Sequence, residues 1–393
     1  MIVSSLDLAK GVPPFQSAIN SPVQRRNELA RQRIAGRKRD LGLKIAPPNH
    51  SRFVLDPMPS ETKPPASPTV GRVENGTGGG FVDHCKSVLR EAAIGVRHAT
   101  ITPMRRRRLG RLASAGLAPP MVVFYHRVAD THPNDWTLDC RSFDAHIRRI
   151  TRTHRVVDLA QVQSIVRGDE PADTRPACAL TFDDGYAENA RHALPLLVER
   201  QLPVTYFVCT GNIRSGRPFG HDAAEPLAVH TPADLRRWAD AGVEIGGHTR
   251  DHIDCGEASA SDLQTQIIDD KDQLEQMIGR AVRFFAFPFG TEKQLTRPAI
   301  EAVRNAGYQG FCSAYGGYNT IGGDAFHIRR FHGDPDPRRL ENWLSFDPSK
   351  LREPNIPTAP ISTAPNSTAP ILTATNSTTT SNAAPDSNAA PTP

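Results

Sequence analysis

The chain has 393 residues, 38% of them hydrophobic, with 34 prolines and a formal net charge of +5. That length suits two domains or one large barrel, and the proline load argues that a sizeable part is not packed core. The charge is uneven: Met1–Leu117 carries 20 Lys+Arg against 8 Asp+Glu, a net +12, and the remaining 27 against 34 give −7.

Residues 1–80 mix Pro, Arg, Ser and Gly and end in Gly76-Thr77-Gly78-Gly79-Gly80, a composition that predicts disorder. A short basic helix is expected around Val88–Val96 and another near Arg105–Ala115. The run Arg105-Arg106-Arg107-Arg108 reads as a solvated helix face or a surface-anchoring patch. A basic arm can bind nucleic acid, but no nucleic-acid motif accompanies this one, and no such partner is expected. The opening residues lack an apolar leader, and no 18-residue apolar stretch predicts a transmembrane helix. The cytoplasm is the default expectation, with the cell envelope as the alternative.

From Leu117 to Ser349 the texture changes. Met121–Tyr125 reads as a strand, Asp139–His154 as a helix with Phe143, Ile147 and Ile150 at helical spacing, and Leu159–Val166 as another. Strands and helices then alternate: strand 177–182, helix 187–201, strand 204–209, helix 232–241, strand 243–246, helix 260–278, strand 282–287, helix 298–306, strand 310–313. Such alternation predicts a parallel α/β architecture: a single barrel-like core, with a doubly wound open sheet as the alternative. Thr231-Pro232 is a helix start, Thr231 as N-cap and Pro232 at the first helical position. After about Pro354 the chain is Ser/Thr/Asn/Pro/Ala-rich, with Thr-Ala-Pro recurring every five residues from Thr358; disorder is expected there too. The resulting division is an arm over 1–117, a folded body over 118–350 and a tail over 351–393. Cys85, Cys140, Cys178, Cys209, Cys255 and Cys312 are scattered without a C-x-x-C pair, which gives neither a disulfide framework nor a zinc ribbon.

The chemistry gathers at strand ends. Thr181-Phe182-Asp183-Asp184-Gly185-Tyr186 closes an apolar run with two adjacent carboxylates. Neighbouring carboxylates repel, so something must hold at least one of them ionised, and a metal cation would do so. Further on, Gly246-Gly247-His248-Thr249-Arg250-Asp251-His252 places two imidazoles four residues apart at a strand end, where both can converge. With an aspartate they make a two-His, one-carboxylate set that leaves positions open for water and substrate.

These two segments, followed by Phe285-Ala286-Phe287-Pro288-Phe289-Gly290, resemble the successive motifs of the polysaccharide deacetylases, the NodB-homology group also called carbohydrate esterase family four. The lead-in Phe124-Tyr125-His126-Arg127-Val128 is similar to that of bacterial members acting on poly-N-acetylglucosamine-like or cell-envelope polymers. The resemblance covers about Pro120–Ser345, with its motifs within 177–332. It implies an α/β fold, the distorted (β/α) barrel of this family, between disordered N- and C-terminal extensions. It also implies an enzyme that removes N-acetyl groups from an N-acetylglucosamine-containing polysaccharide. Asp184, His248 and His252 would bind a divalent metal, zinc most often, with cobalt or nickel as alternatives. Asp183 would be the general base. The Tyr186 backbone N–H would face the oxyanion, and Pro288, Phe289, Gly290 and His126 would line the sugar groove.

Two departures stand out. Many members carry Arg two residues before the proline, where it orients the base; here that position is Ala286. Arg330 or Arg329, in His327-Ile328-Arg329-Arg330-Phe331-His332, is the expected substitute. The family's Leu-x-His acid is also missing; His332, beside Phe331 and ahead of a Gly-Asp loop, is the expected candidate for it, with His327 the alternative and His126 a third. Trp136, Trp238 and Trp343 are candidate sugar platforms. An O-acetyl esterase and a carbohydrate binder without turnover are the rival readings.

Overall fold

The computed structural model describes residues 100–222, 225–351 and 356. The expected arm before residue 100 with its helix at 88–96, and the tail past 351 apart from residue 356, lie outside these residues.

Eleven strands are described: β1 (Met121–Tyr125), β2 (Arg127–Val128), β3 (Thr137–Leu138), β4 (Arg155–Val156), β5 (Ala177–Phe182), β6 (Val204–Val208), β7 (Glu244–Gly247), β8 (Phe284–Ala286), β9 (Gly310–Cys312), β10 (His327–Ile328) and β11 (Phe331–His332). One parallel sheet runs β10-β9-β8-β7-β6-β5-β1-β11, with β4 joined to the start of β5. Its two edge strands are consecutive in the chain, separated only by Arg329 and Arg330. Three Cα steps span at most about 11 Å, so the sheet must be rolled until its edges nearly meet. This is a (β/α) barrel with its seam at Arg329-Arg330.

Alternate side chains of a strand face opposite ways, and the core divides accordingly. Val122, Ala177, Ala179, Phe207, Phe284, Ala286, Cys312 and Ile328 belong to one buried cluster on the inner face. Their strand neighbours Val123, Leu180, Tyr206, Phe285 and Phe311 join helix residues such as Phe143, Ile147, Leu194, Leu274 and Val303 in the larger outer cluster. Small residues among large ones let side chains fill a narrow barrel.

Several helices follow their sequence signals. Asp139 caps Cys140–Thr153, and Thr231 with Asp234 forms a capping box ahead of Pro232–Asp240. Two expected helices are broken. In place of one helix over 187–201 there is a 3₁₀ turn, Ala187–Ala190, and a helix Ala193–Glu199. The cause is Asn189, whose side chain accepts from Val128 N at 2.9 Å and donates to the His126 carbonyl at 2.7 Å, drawing the first turn onto the barrel rim. The expected 260–278 helix contains a π turn, Gln264–Ile268, between Ala260–Leu263 and Asp269–Ile278.

A helix over residues 100–114 packs on this body. Arg105 pairs with Asp347 at 2.8 Å, and Arg106 with Glu341 at 2.7 Å. Half of the four-arginine run is thus engaged in ion pairs with the C-terminal side of the body instead of forming a free basic face. The five described cysteines are free thiols, and no described helix is long and apolar enough to cross a membrane.

Candidate metal centre and active site

The ends of β5 and β7 build the centre. After β5 the backbone turns sharply: Asp184 has φ 75° and Gly185 φ 96°. The second value is costly for any residue with a Cβ, and a Cβ at Gly185 would also press on Ile213 at 3.2 Å. The turn is pinned from outside, since the Gly185 carbonyl accepts from His230 N at 2.9 Å and Ala187 N donates to the Ala228 carbonyl at 2.9 Å. It sends Asp183 and Asp184 in different directions.

Asp184 faces the histidines. Its Oδ1 lies 3.5 Å from His248 Nε2 and 3.4 Å from His252 Nε2. The donor atoms of all three residues fall within 4.8 Å of one another. Asp184 Oδ1 is buried without a hydrogen-bond partner, although burial should force a charged oxygen to find one. The His248 Nδ1 is 2.8 Å from the Ala286 carbonyl. A carbonyl only accepts, so Nδ1 carries the proton and Nε2 turns its lone pair to the centre. Two atoms about 2.1 Å from one ion at the tetrahedral angle stand about 3.4 Å apart. The set therefore fits a divalent cation of zinc size. Burial would raise the Asp184 carboxyl, but the two imidazoles override it and hold it well below the usual carboxylate range.

Asp183 takes a different partner. Arg330 donates from Nη1 to its Oδ1 at 2.7 Å and from Nη2 to its Oδ2 at 2.8 Å. The same guanidinium donates to Thr181 Oγ1 at 3.2 Å and, from Nε, to the Ser313 carbonyl at 3.0 Å. It lies over the rings of Phe124 at 4.7 Å and Phe207 at 5.4 Å. Arg330 is fully buried, and a forked pair of this kind is the strong form of charge-assisted bond. Burial by itself would raise the Asp183 carboxyl; the Arg330 charge outweighs it and keeps the group below its ordinary value. Of the two arginines offered by the sequence, Arg330 reaches Asp183, whereas Arg329 donates to the Tyr318 carbonyl.

The other expected residues separate. His332 sits beside β1, its ring 5.2 Å from Phe124 and 5.8 Å from His126. Burial, with the neighbouring His126 second, pushes it down to about 4. His126 also touches Trp136 at 4.8 Å, so Trp136, His126 and His332 line one rim. His327 is buried on the outer face, stacked on Phe311 at 4.7 Å and bonded to Ser313 Oγ at 2.9 Å, away from the centre. Tyr186 is also buried; its hydroxyl donates to Asp222 at 2.8 Å and meets His221 at 3.0 Å. Of Pro288, Phe289 and Gly290 only Phe289 is exposed, at 57%, and its ring is 5.1 Å from His252. Trp343 stacks on Phe331 and Trp238 packs against the core, which leaves Trp136, 48% exposed, as the tryptophan with a free face.

Asp222, Asn189 and Arg127 were not legible as part of this rim. Arg127 is fully buried and donates to the carbonyls of Thr131 and His132 at 2.8 Å each, fixing the loop that presents Trp136. Asn134 of that loop donates to Asp222 at 3.2 Å, tying it to the loop behind Tyr186. The available signal was a charged residue, Arg127, within an otherwise apolar strand region.

The chain resembles known proteins in sequence and in fold. Residues 171–311 match the family model described as polysaccharide deacetylase. That span contains Asp183, Asp184, His248 and His252 and ends short of Arg330 and His332. A curated relative, the putative polysaccharide deacetylase YxkH of Bacillus subtilis, is 22% identical over 188 residues, which is 48% of this chain and 62% of that protein. The chain thus spans under two thirds of that relative's length. Among solved structures, the Streptococcus pyogenes deacetylase PplD, in complex with acetate, superposes with a TM-score of 0.50 at 18% identity, covering 60% of this chain and 100% of that one. IcaB from Ammonifex degensii follows at 0.49 and 22% identity, covering 58% and 97%. Residues 171–311 thus match the polysaccharide deacetylase model, within a barrel that extends beyond them to β1 on one side and to β10 and β11 on the other.

Proposed function

We propose that the protein is a metal-dependent hydrolase that removes N-acetyl groups from a polysaccharide containing N-acetylglucosamine. The observation that carries this reading is the division of the paired carboxylates. Asp183 is held by a buried guanidinium fork, while Asp184 presents an unpartnered oxygen to two imidazoles. A divalent cation held by Asp184, His248 and His252 would supply Lewis acidity toward water and an acetyl carbonyl.

The chain's own groups do the rest. Asp183 accepts the proton of the attacking water, and Arg330 keeps that carboxylate ionised and aimed. The buried phenol of Tyr186 serves packing, so this residue meets the developing oxyanion through its backbone N–H. His332, neutral at rest, is our candidate for passing a proton to the leaving nitrogen. Trp136 and Phe289 offer exposed faces on which sugar rings can stack.

The test is acetate release from acetylated chito-oligomers, after chelation and then with zinc or cobalt restored. Activity should vanish on chelation and return with metal. Asp183→Asn should retain metal and lose at least about a hundredfold in kcat, the usual scale of a general base. His332→Ala should slow amides far more than aryl acetates, whose leaving group needs no proton. An active Asp183→Asn enzyme would sink the base assignment, and preference for O-acetyl sugars would move the substrate to esters.

A further inference from the structure

The segment between the two histidines is bent against its own preference. Thr249 has φ 60° and His252 φ 53°, left-handed values that strain a residue with a Cβ. Such a conformation persists only where neighbours over-determine it. Those neighbours lie in the π turn Gln264–Ile268. A π turn widens the helix and redirects backbone groups from the usual ladder, which is why such turns recur at functional sites.

Here it delivers Gln266. The Gln266 carbonyl accepts from Arg250 N at 3.1 Å. Its side-chain Oε1 accepts from Asp251 N at 2.9 Å, and its Nε2 donates to Asp251 Oδ2 at 2.8 Å. One residue therefore makes three hydrogen bonds to the two positions at the centre of the His248–His252 segment. On the other side, Gly211 N donates to the Arg250 carbonyl at 2.8 Å. A Cβ at Gly211 would stand 2.8 Å from that same oxygen, so only glycine permits the approach.

We propose that Gln266 is a positioning residue for the metal centre: its clamp on Arg250 and Asp251 sets the separation and aim of His248 and His252. The clamp rests on the reading of Asp184, His248 and His252 as cation ligands. Gln266 thus holds the strained segment from the side opposite Gly211.

The test measures cobalt and zinc binding by the full-length protein, through calorimetry and the visible spectrum of the cobalt form, with metal-free stability recorded in parallel. Gln266→Ala keeps the backbone carbonyl and removes the two side-chain bonds. It should weaken metal binding about tenfold, the lower end for residues that orient ligands, and alter the cobalt spectrum. Gln266→Glu sets a carboxylate against Asp251 and should fail likewise. Adding Asp251→Asn to Gln266→Glu exchanges amide and carboxylate, rebuilds the pair, and should restore affinity to within about twofold of the parent. Unchanged affinity and spectrum in Gln266→Ala would overturn the clamp, as would a metal-free protein that loses stability while its metal affinity stays put. His252→Ala is the control on the underlying reading: if it still binds cobalt as the parent does, the ligand set fails and not the clamp alone.

Discussion

Arg330 concentrates more of the site's physics than any other side chain. It is fully buried, its charge is met by Asp183, and two further donors of the guanidinium reach Thr181 and Ser313. Breaking such a pair on one side strands a buried charge and costs about 3–5 kcal/mol. Arg330→Ala should therefore lower the free energy of unfolding, read from urea denaturation, by an amount in that range and also cut kcat sharply. Arg330→Lys keeps the charge but not the fork, and should recover more stability than turnover; equal recovery of both would mean that the fork does not aim the base. This pairing was half legible. Two adjacent arginines near the last strands were the sequence's offer, and the choice between them depended on which face of the seam each side chain takes. Asp184, His248 and His252 were readable because adjacent carboxylates and a four-residue histidine spacing each follow an apolar strand. His332 was preferred to His327 from its flanking residues alone, since two-residue strands have no period to reveal their faces.

Among the elements, the π turn and its neighbours were the least visible. The pattern over 260–278 is that of an ordinary amphipathic helix, and an extra residue in one turn leaves no compositional mark. The same junction buries Asp270, whose carboxyl meets the Thr210 hydroxyl. Burial, only partly offset by the Thr210 hydrogen bond, pushes this carboxyl up to about 7. The folded-state value lies above the unfolded one, near 3.9. Between about pH 4 and 7 the native chain therefore holds a proton the unfolded chain has lost, and stability declines as pH rises through that window. At about 1.4 kcal/mol per unit, the decline amounts to at most roughly 4 kcal/mol. Asp270→Asn should flatten it and melt higher than the parent at pH 8. A parent and variant with parallel melting curves from pH 4 to 8 would show that Asp270 ionises freely.

At the scale of the molecule, alternation of strands and helices announced the barrel, while its closure could not be read. Closure depends on β10 and β11, which are two residues each. The rim above it is asymmetric, with Trp136 on the loop fixed by Arg127 and Phe289 beside His252. Trp136→Ala should raise KM for long acetylated oligomers several-fold while leaving kcat and the turnover of aryl acetates nearly unchanged. A loss confined to kcat would place Trp136 in support of His126 and not under a sugar.

The seam has a further consequence for how such a site can change. The guanidinium that holds Asp183 enters at Arg330, between the two edge strands, while position 286 is alanine and contributes its carbonyl to His248. On the proposed function, holding the base and shaping the groove therefore fall to separate stretches of chain. The exposed Phe289 should, on that proposed function, be exchangeable without loosening the Arg330 charge on Asp183. Under the same proposal, substitutions at Phe289 and Trp136, with Arg330 and Ala286 left alone, should shift substrate range while the chemistry stays fixed.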